Sequence, residues 1–268
     1  MQQERIVYVA ANNNAVSQKT KQALLEKLRK RGFVAETRLT SRAELIVCIG
    51  GDGTMLRTLK EHDFPQIPVI GINTGHLGFF QELMPDEIDV FVDNYKKGNY
   101  EIQQMRLVQA EIHFAAGKAV LLGINEITIK GDKSRSIHLN LSLDHKFVER
   151  FSGDGILVAT PAGSTAYNYA LGGCIVDPRL SLLQVTPISP MNSTAYRSFT
   201  SSVVVHPKTK IQIEPEYAME PSVLVVVDGT EYHFDEMTGI SVFFSDKSVG
   251  FMRFEGYDFW HKVKTKFL

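Results

Sequence analysis

The chain has 268 residues, of which 44% are hydrophobic, and this suffices to bury the core of one large domain or of two smaller ones. Its 29 basic and 30 acidic side chains give a net charge of −1, which argues against a nucleic-acid-binding surface, because such surfaces usually carry a basic excess. We expect a cytoplasmic protein without structural zinc or disulfides, because no signal peptide or membrane span is evident and neither Cys48 nor Cys174 has a Cys or His neighbour.

The first third of the chain alternates strand and helix patterns. Short apolar runs indicate buried strands, and apolar residues at helical spacing indicate helices that cover them. This alternation predicts an α/β domain with an open, mostly parallel sheet. The predicted elements are a strand at Arg5–Ala10, a helix ending at Gly32, strands at Glu44–Ile49 and Val69–Ile72, and an amphipathic helix at Pro85–Lys97 that Gly98 ends.

A glycine-rich turn, Gly50 to Gly53, follows the second of these strands and leads into a predicted helix from Thr54 to Glu61. Such a turn presents backbone N–H groups to an anion at the start of a helix, and phosphate is the obvious ligand. Asp52 lies within the turn, although a carboxylate repels phosphate unless a cation or a substrate hydroxyl lies between them. The alternative is a tight turn in which Asp52 makes only a local backbone bond.

A second glycine-bearing turn, Asn73 to Phe79, follows the next strand and is predicted at the same edge of the sheet. The ligand crevice of an open α/β sheet lies at this edge, where the carboxyl ends of the strands meet. His76 could act as a base there, but a histidine between glycine turns is more often structural.

Beyond Tyr100 the pattern changes to long strands, which predicts a β-rich second domain. Asn125 and Glu126 fall within one of these strands, where alternation would turn one of them outward. Asp228-Gly229 is a strong hairpin signal, so Asp228 is predicted as a turn residue. The predicted strands are Tyr100–Phe114, Ala119–Ile129, Ile137–Phe151 with a hairpin tip at Asp144-His145, and several between Ser202 and Phe254, before a final helix in Tyr257–Leu268.

Another strand, turn and helix start are predicted between Gly153 and Gly173. Ser164 is predicted to cap a helix from Thr165 to Leu171 that Gly172 ends. The short donors and the ring of this segment suit a sugar or a purine, whereas the alternative is simply a well-capped helix. Asp154, between two glycines, carries the same ambiguity as Asp52.

Taken together, these motifs resemble the ordered motif set of the NAD kinases, in the compact bacterial form and over nearly the whole chain. A lone Gly-Gly-Asp-Gly-Thr also resembles phosphofructokinases, diacylglycerol kinases and sphingosine kinases, but the combination is specific. The motifs are Gly50-Gly51-Asp52-Gly53-Thr54, Asn73-Thr74-Gly75-His76-Leu77-Gly78-Phe79, Asn125-Glu126, Asp154-Gly155 and Thr160-Pro161-Ala162-Gly163-Ser164-Thr165-Ala166-Tyr167.

The resemblance implies phosphorylation of the 2′-hydroxyl of the adenosine ribose of NAD to give NADP. ATP or inorganic polyphosphate would be the donor, and a divalent cation, Mg²⁺ above all, would be held by the donor phosphates near Asp52. Asp52 would be the general base, and Ser152 departs from the basic residue usual at its position. The implied NAD-binding residues are Asp52, Gly53, Phe79, Asn125, Glu126, Asp154, Ala162, Ser164, Thr165, Ala166, Tyr167 and Asn168.

The resemblance also implies an α/β domain at residues 1–100, completed by a returning helix at 255–268, and a β-rich NAD-binding and oligomerisation domain at 101–254. A homo-oligomer, a tetramer above all, would share sites between subunits. Three other classes remain open: a lipid or sugar kinase, which should lack the Gly163–Tyr167 turn; an NAD-binding sensor, which would not need Asp52; and a scaffold, which would explain none of the motifs.

Overall fold

The computed structural model describes residues 4–216, 223–234 and 236–268. The chain divides into two compact units. The first comprises the residues up to Met105 together with Ser248–Leu268, and the second comprises Arg106–Lys247. Within the described ranges, no helix combines the length and the apolar character that crossing a membrane requires.

The first unit begins with β1 (Ile6–Ala11), α1 (Ala15–Lys30), β2 (Val34–Glu36), β3 (Ala43–Gly50), α2 (Asp52–Glu61), β4 (Val69–Asn73) and α3 (Ile88–Lys97). Its strands form a parallel sheet with the order β2-β1-β3-β4, to which the end of the last strand of the chain adds in parallel through Phe251 opposite Val69. Helices pack Leu24, Leu28, Phe91 and Tyr95 onto this sheet in one apolar cluster.

The second unit is built from antiparallel strands around one apolar core. The remaining strands and the short helix of the chain are β5 (Glu101–Phe114), β6 (Gly117–Gly123), β7 (Glu126–Gly131), β8 (Ile137–Leu143), β9 (Lys146–Gly153), β10 (Gly155–Ala159), α4 (Tyr167–Ala170), β11 (Leu183–Ile188), β12 (Val203–Val205), β13 (Ile211–Pro215), β14 (Val223–Val227), β15 (Thr230–His233) and β16 (Gly239–Arg253). Six strands form a sheet in the order β12-β11-β10-β7-β14-β15, and β5 pairs with β6 while β13, β8 and β9 pair in turn. The start of β5, the end of β16 and the final helix α5 (Phe259–Phe267) belong to the first unit.

The predicted fold class, an α/β unit, a β-rich unit and a helix that returns to the first, is confirmed. The predicted strand Ala119–Ile129 is wrong in one respect, because a bend at Ile124 and Asn125 divides it into β6 and β7. Asn125 therefore lies in a bend rather than in a strand, and both it and Glu126 are buried instead of alternating. The short strand β2 and the strand β11 were not predicted.

The predicted helix Thr165–Leu171 is also wrong at its start. A 3₁₀ turn spans Ala162–Thr165, the backbone breaks at Ala166, and α4 has only four residues before Gly172 ends it with a φ of 79°. Ser164 is not an N-cap, because its hydroxyl lies inside the unit and bonds the backbone of Val176.

The last helix, α5, is capped at its N-terminus by Asp258, whose carboxylate accepts the N–H groups of Trp260 and His261. The rings of Phe259 and Phe267 in α5 pack against the ring of Phe79, with centroids 5.9 and 5.7 Å away. The helical spacing of the aromatic residues in this segment predicts a packing role for Trp260, but the structure leaves it 51% exposed. The helix thus packs on the first unit through its phenylalanines and Val263.

Candidate functional site

Asp52 is the first residue of α2, directly after the N-cap Gly51. Its Oδ2 accepts the N–H of Phe79 and its Oδ1 accepts the N–H of Phe80, each at 3.0 Å. Asp52 is therefore not a local turn residue, since it bonds a loop 27 residues further along the chain. Each carboxylate oxygen keeps a second lone pair. The geometry gives a half-buried, oriented carboxylate with acceptor capacity left over.

Gly78 lets this loop approach the carboxylate. A Cβ at Gly78 would come within 2.8 Å of Asp52 Cγ and would also overlap the amide of Gln81. Gln81 is 3% exposed, and among the described residues neither its Oε1 nor its Nε2 has a hydrogen-bond partner. The glycine thus allows a carboxylate and an unpaired amide to meet at one point.

A cationic side chain from α5 reaches the other side of the same loop. Lys262 Nζ donates to the backbone oxygens of Phe79, at 3.4 Å, and of Gln81. Burial and the positive charge of Arg253 lower the pKa of Lys262 to about 8, against the opposing charges of Glu82 and Asp52. Arg253 itself forms a buried ion pair with Glu82 at 2.9 Å.

The implied divalent cation is compatible with this arrangement. Within the described ranges, no cluster of three or more His, Cys, Asp or Glu side chains could hold a metal by itself. Asp52 has one acceptor position left on each oxygen, so it could add a protein oxygen to a cation that the phosphates of a nucleotide already bind.

In the second unit, a carboxylate organises the bend before β7. Asp228, at the tip of the β14–β15 hairpin, accepts the N–H groups of Ile124, Asn125 and Glu126 at 2.7, 2.8 and 3.2 Å. The hairpin prediction is confirmed by the left-handed φ of Asp228 and Gly229. The sequence did not indicate that the Asp228 carboxylate binds the bend, because the Asp-Gly dipeptide predicts a turn but not the distant backbone groups that the side chain bonds.

The bend holds two polar side chains out of water with acceptors unused. Asn125 and Glu126 are 8% and 7% exposed, and among the described residues Asn125 Oδ1 and Glu126 Oε2 lack a hydrogen-bond partner. Burial, together with the negative charge of Asp228, raises the pKa of Glu126 to about 8. Buried acceptors without partners are costly, and they suit a ligand that brings hydroxyl groups.

The 3₁₀ turn Ala162–Thr165 packs directly against this bend. Thr160 donates its hydroxyl to Ile124 O at 2.6 Å, and its N–H donates to Asn125 O at 2.9 Å. A Cβ at Gly163 would lie 2.8 Å from Asn125 Cα, so only glycine permits the contact. Thr160, like Asp228, was not singled out as a site residue. The predicted residues Asn125, Glu126 and Ala162 thus belong to one cluster.

The remaining residues of this segment divide into buried and exposed ones. Ser164 and Asn168 are fully buried, and Asn168 Oδ1 accepts the hydroxyl of Thr186 at 2.7 Å. Thr165 is 7% exposed, whereas Tyr167 is 45% exposed. Ala166 is half-buried at the break before α4. The buried pair therefore supports the turn from inside, while Tyr167 faces solvent.

Asp154 does not belong to this cluster. It precedes the five-residue strand β10, whereas Thr160 follows it, and at ~3.3 Å per residue the two lie roughly 20 Å apart. Asp154 is exposed, and so are Gly53 and His76 of the first unit. Ser152, two residues before Asp154, is buried. The structure thus places Asp154 at the opposite end of the strand from the bend.

The comparisons with known proteins agree over both units. The family model of the ATP-NAD kinase N-terminal domain matches residues 5–100, and that of the C-terminal domain matches residues 124–254. An NAD kinase of Finegoldia magna is 35% identical over 268 residues, with 98% of each chain covered. An NAD kinase of Lactobacillus johnsonii is 34% identical over 228 residues, with 84% of each chain covered.

Two solved structures share the fold. A yeast NADH kinase complexed with NADH has a TM-score of 0.86 at 20% identity, covering 99% of this chain and 88% of that one. An NAD kinase from Archaeoglobus fulgidus in complex with ATP has a TM-score of 0.76 at 25% identity, covering 98% and 97%. The two family models and the relatives above 30% identity together show that the chain belongs to the NAD kinase family.

Proposed function

We propose that this protein transfers the γ-phosphoryl group of ATP to the 2′-hydroxyl of the adenosine ribose of NAD, with Asp52 as the general base. The observation that carries the proposal is the Asp52 carboxylate, which the N–H groups of Phe79 and Phe80 orient at the start of α2. Orientation and charge are what phosphoryl transfer mainly asks of a protein.

The chemistry follows from that carboxylate. The 2′-oxygen attacks the γ-phosphorus, its proton passes to an Asp52 oxygen, and the bond from the γ-phosphorus to the bridging oxygen breaks to release ADP. The proton then leaves to solvent. A divalent cation, Mg²⁺ by the resemblance, would be held by the donor phosphates and the remaining lone pairs of Asp52, and it supplies neutralisation of phosphate charge.

On the nucleotide side, Asn125 Oδ1 and the Glu126 carboxyl group would form hydrogen bonds with hydroxyl groups of the substrate. Ala162, Thr165, Ala166 and Tyr167 would line the adenosine region, with Ser164 and Asn168 supporting the turn, while Gly53 and Phe79 complete the Asp52 side. Polyphosphate remains an alternative donor. These assignments rest on the family motifs and on the unused acceptors of the bend.

The experiment that tests the proposal is direct. Purified protein is incubated with NAD, ATP and Mg²⁺, and NADP is detected with an NADP-specific dehydrogenase. The expected result is NADP formation that needs ATP, and replacing ATP with polyphosphate decides the range of donors. No NADP with either donor would contradict the proposal, and NAD binding without turnover would favour a sensor.

The proposal includes a homo-oligomer in the cytoplasm whose Asp154 serves the nicotinamide end of a neighbouring subunit's site. Its support is the separation of Asp154 from the bend within one chain. Mixing inactive Asp52→Ala and Asp154→Ala proteins should restore part of the activity, because some mixed sites then hold both carboxylates. Mixed oligomers without any recovery would contradict a shared site.

A further inference from the structure

The loop from Gly78 to Gln81 is bonded on two sides. Towards α2, the N–H groups of Phe79 and Phe80 hold the two oxygens of Asp52. Towards α5, the carbonyl oxygens of Phe79 and Gln81 accept from Lys262 Nζ. Phe79 takes part in both sets of bonds, so a single residue joins Asp52 to the last helix.

The side chain of Phe79 strengthens the same connection. Phe79 is 8% exposed, and its ring packs against the rings of Phe259 and Phe267 in α5. This packing sets the position of the loop along the helix, while a charge-assisted bond from Lys262 fixes the orientation of its carbonyl groups. Apolar contact alone would leave the peptide planes free to tilt and the N–H groups free to miss Asp52.

The charges around Lys262 leave its ammonium group available for this task. Glu82, the acidic neighbour that could compete for it, is already paired with Arg253. Arg253 stacks in turn on the ring of Tyr257, which Lys262 also approaches at 5.0 Å. Burying an ammonium group is costly unless it gains strong bonds, and the described bonds of Lys262 go to the loop that orients Asp52.

We infer that Lys262 is a positioning residue for Asp52: it holds the Phe79 and Gln81 carbonyl groups so that the opposite face of their loop presents its N–H groups to the carboxylate. Its role in turnover rests on the proposed function. Its role in ordering the loop does not, because loop order can be measured without substrate.

Three substitutions test the inference. Lys262→Met removes the donors and keeps the length of the side chain, and it also removes the cost of a buried charge, so folding should survive. Its kcat should fall about 10-fold or more with KM for NAD within about 2-fold, because only the orientation of Asp52 is lost. Lys262→Arg keeps a charged donor and should restore most of kcat. Lys264→Met, an exposed site on the same helix, is the matched control and should behave as wild type.

Hydrogen exchange separates this inference from the proposed function. In Lys262→Met without ligand, the amides of Phe79 and Phe80 should exchange about 10-fold faster or more than in wild type, and Lys264→Met should leave them unchanged. The expected change in exchange rate does not depend on whether this protein phosphorylates NAD. Unchanged exchange at these two amides, wild-type kcat in Lys262→Met, or a rise in KM with kcat preserved would each overturn the inference. If Lys262→Met does not fold, Lys262→Gln takes its place under the same criteria.

Discussion

Two acidic side chains of this protein, Asp52 and Glu126, have contrasting surroundings. Asp52 is half-buried, and its carboxylate accepts two backbone N–H groups. Glu126 is 7% exposed, and its Oε2 has no hydrogen-bond partner among the described residues. It is also exposed to the negative charge of Asp228. The first environment orients a charged carboxylate, and the second penalises one. The same chemical group is thus prepared for proton acceptance in one unit and for substrate hydrogen bonding in the other.

The largest expected effect comes from removing the charge of Asp52 while keeping its shape. Asp52→Asn should lower kcat by at least about 10², because the proton acceptor is lost, with little change in NAD affinity. Steady-state kinetics and calorimetric titration with NAD measure the two quantities. If asparagine kept turnover near wild type, Asp52 would have only a structural role.

In the second unit, the largest expected loss of stability comes from replacing Asp228. Asp228→Ala removes the acceptor of three backbone N–H groups at the bend, and at about 1 kcal/mol for each bond the free energy of unfolding should fall by about 3 kcal/mol. Relief of the repulsion with Glu126 offsets part of this loss. Urea denaturation measures the difference.

Asp144→Ala is the matched control for Asp228. Asp144 also lies at a hairpin tip, with a φ of 49° against 46° for Asp228, so alanine meets the same backbone strain at both positions. The Asp144 carboxylate, however, accepts one exposed bond, from Lys210 N–H. Equal destabilisation by the two substitutions would show that strain, and not the three bonds, explains the loss.

The sequence predicted those features that depend only on residues close together in the chain. The strand before Asp52, the amphipathic helix ending at Gly98 and the two hairpin tips follow from periodicity and turn chemistry, and the structure has them. The partners of Asp52 and Asp228 could not be predicted, because they lie 27 to 104 residues away and depend on tertiary packing. Lys262 gave no signal either, since a lysine in an amphipathic helix is ordinarily solvent-exposed.

Gly163 and Gly78 approach neighbours of different kinds, backbone in the second unit and side chains in the first. A Cβ at Gly163 would meet the backbone of Asn125, which cannot move alone, whereas a Cβ at Gly78 would meet the ends of Asp52 and Gln81, which can rotate away. Gly163→Ala should therefore cost about 2 kcal/mol of stability. Gly78→Ala should cost less stability but should lower kcat, because Asp52 is displaced.

Gly75→Ala is the control for both glycines, because a Cβ there meets nothing within 4 Å. None of the three has a left-handed φ, so backbone strain does not confuse the comparison. Urea denaturation and kcat are measured for all three variants. A smaller stability loss for Gly163→Ala than for Gly78→Ala would contradict the distinction between backbone and side-chain neighbours.

The last expected effect concerns Glu126 and pH. Its pKa is about 8 in the folded protein against 4.5 for an unperturbed group, so between these values the folded state holds a proton that the unfolded state has released. Stability must then fall as pH rises through this window, by about 1 kcal/mol for each pH unit. Glu126→Gln removes the titration, so this decline should be absent.

Urea denaturation at about pH 5.5 and pH 7.5 measures the slope for wild type and Glu126→Gln. The glutamine variant should gain stability relative to wild type as pH rises, and the exposed Glu231→Gln should keep the wild-type slope. If wild type instead gained on Glu126→Gln as pH rises, the Glu126 carboxylate would be stabilised in the folded state. The contrast with Asp52 would then disappear, because the surroundings of Glu126 would no longer penalise its carboxylate.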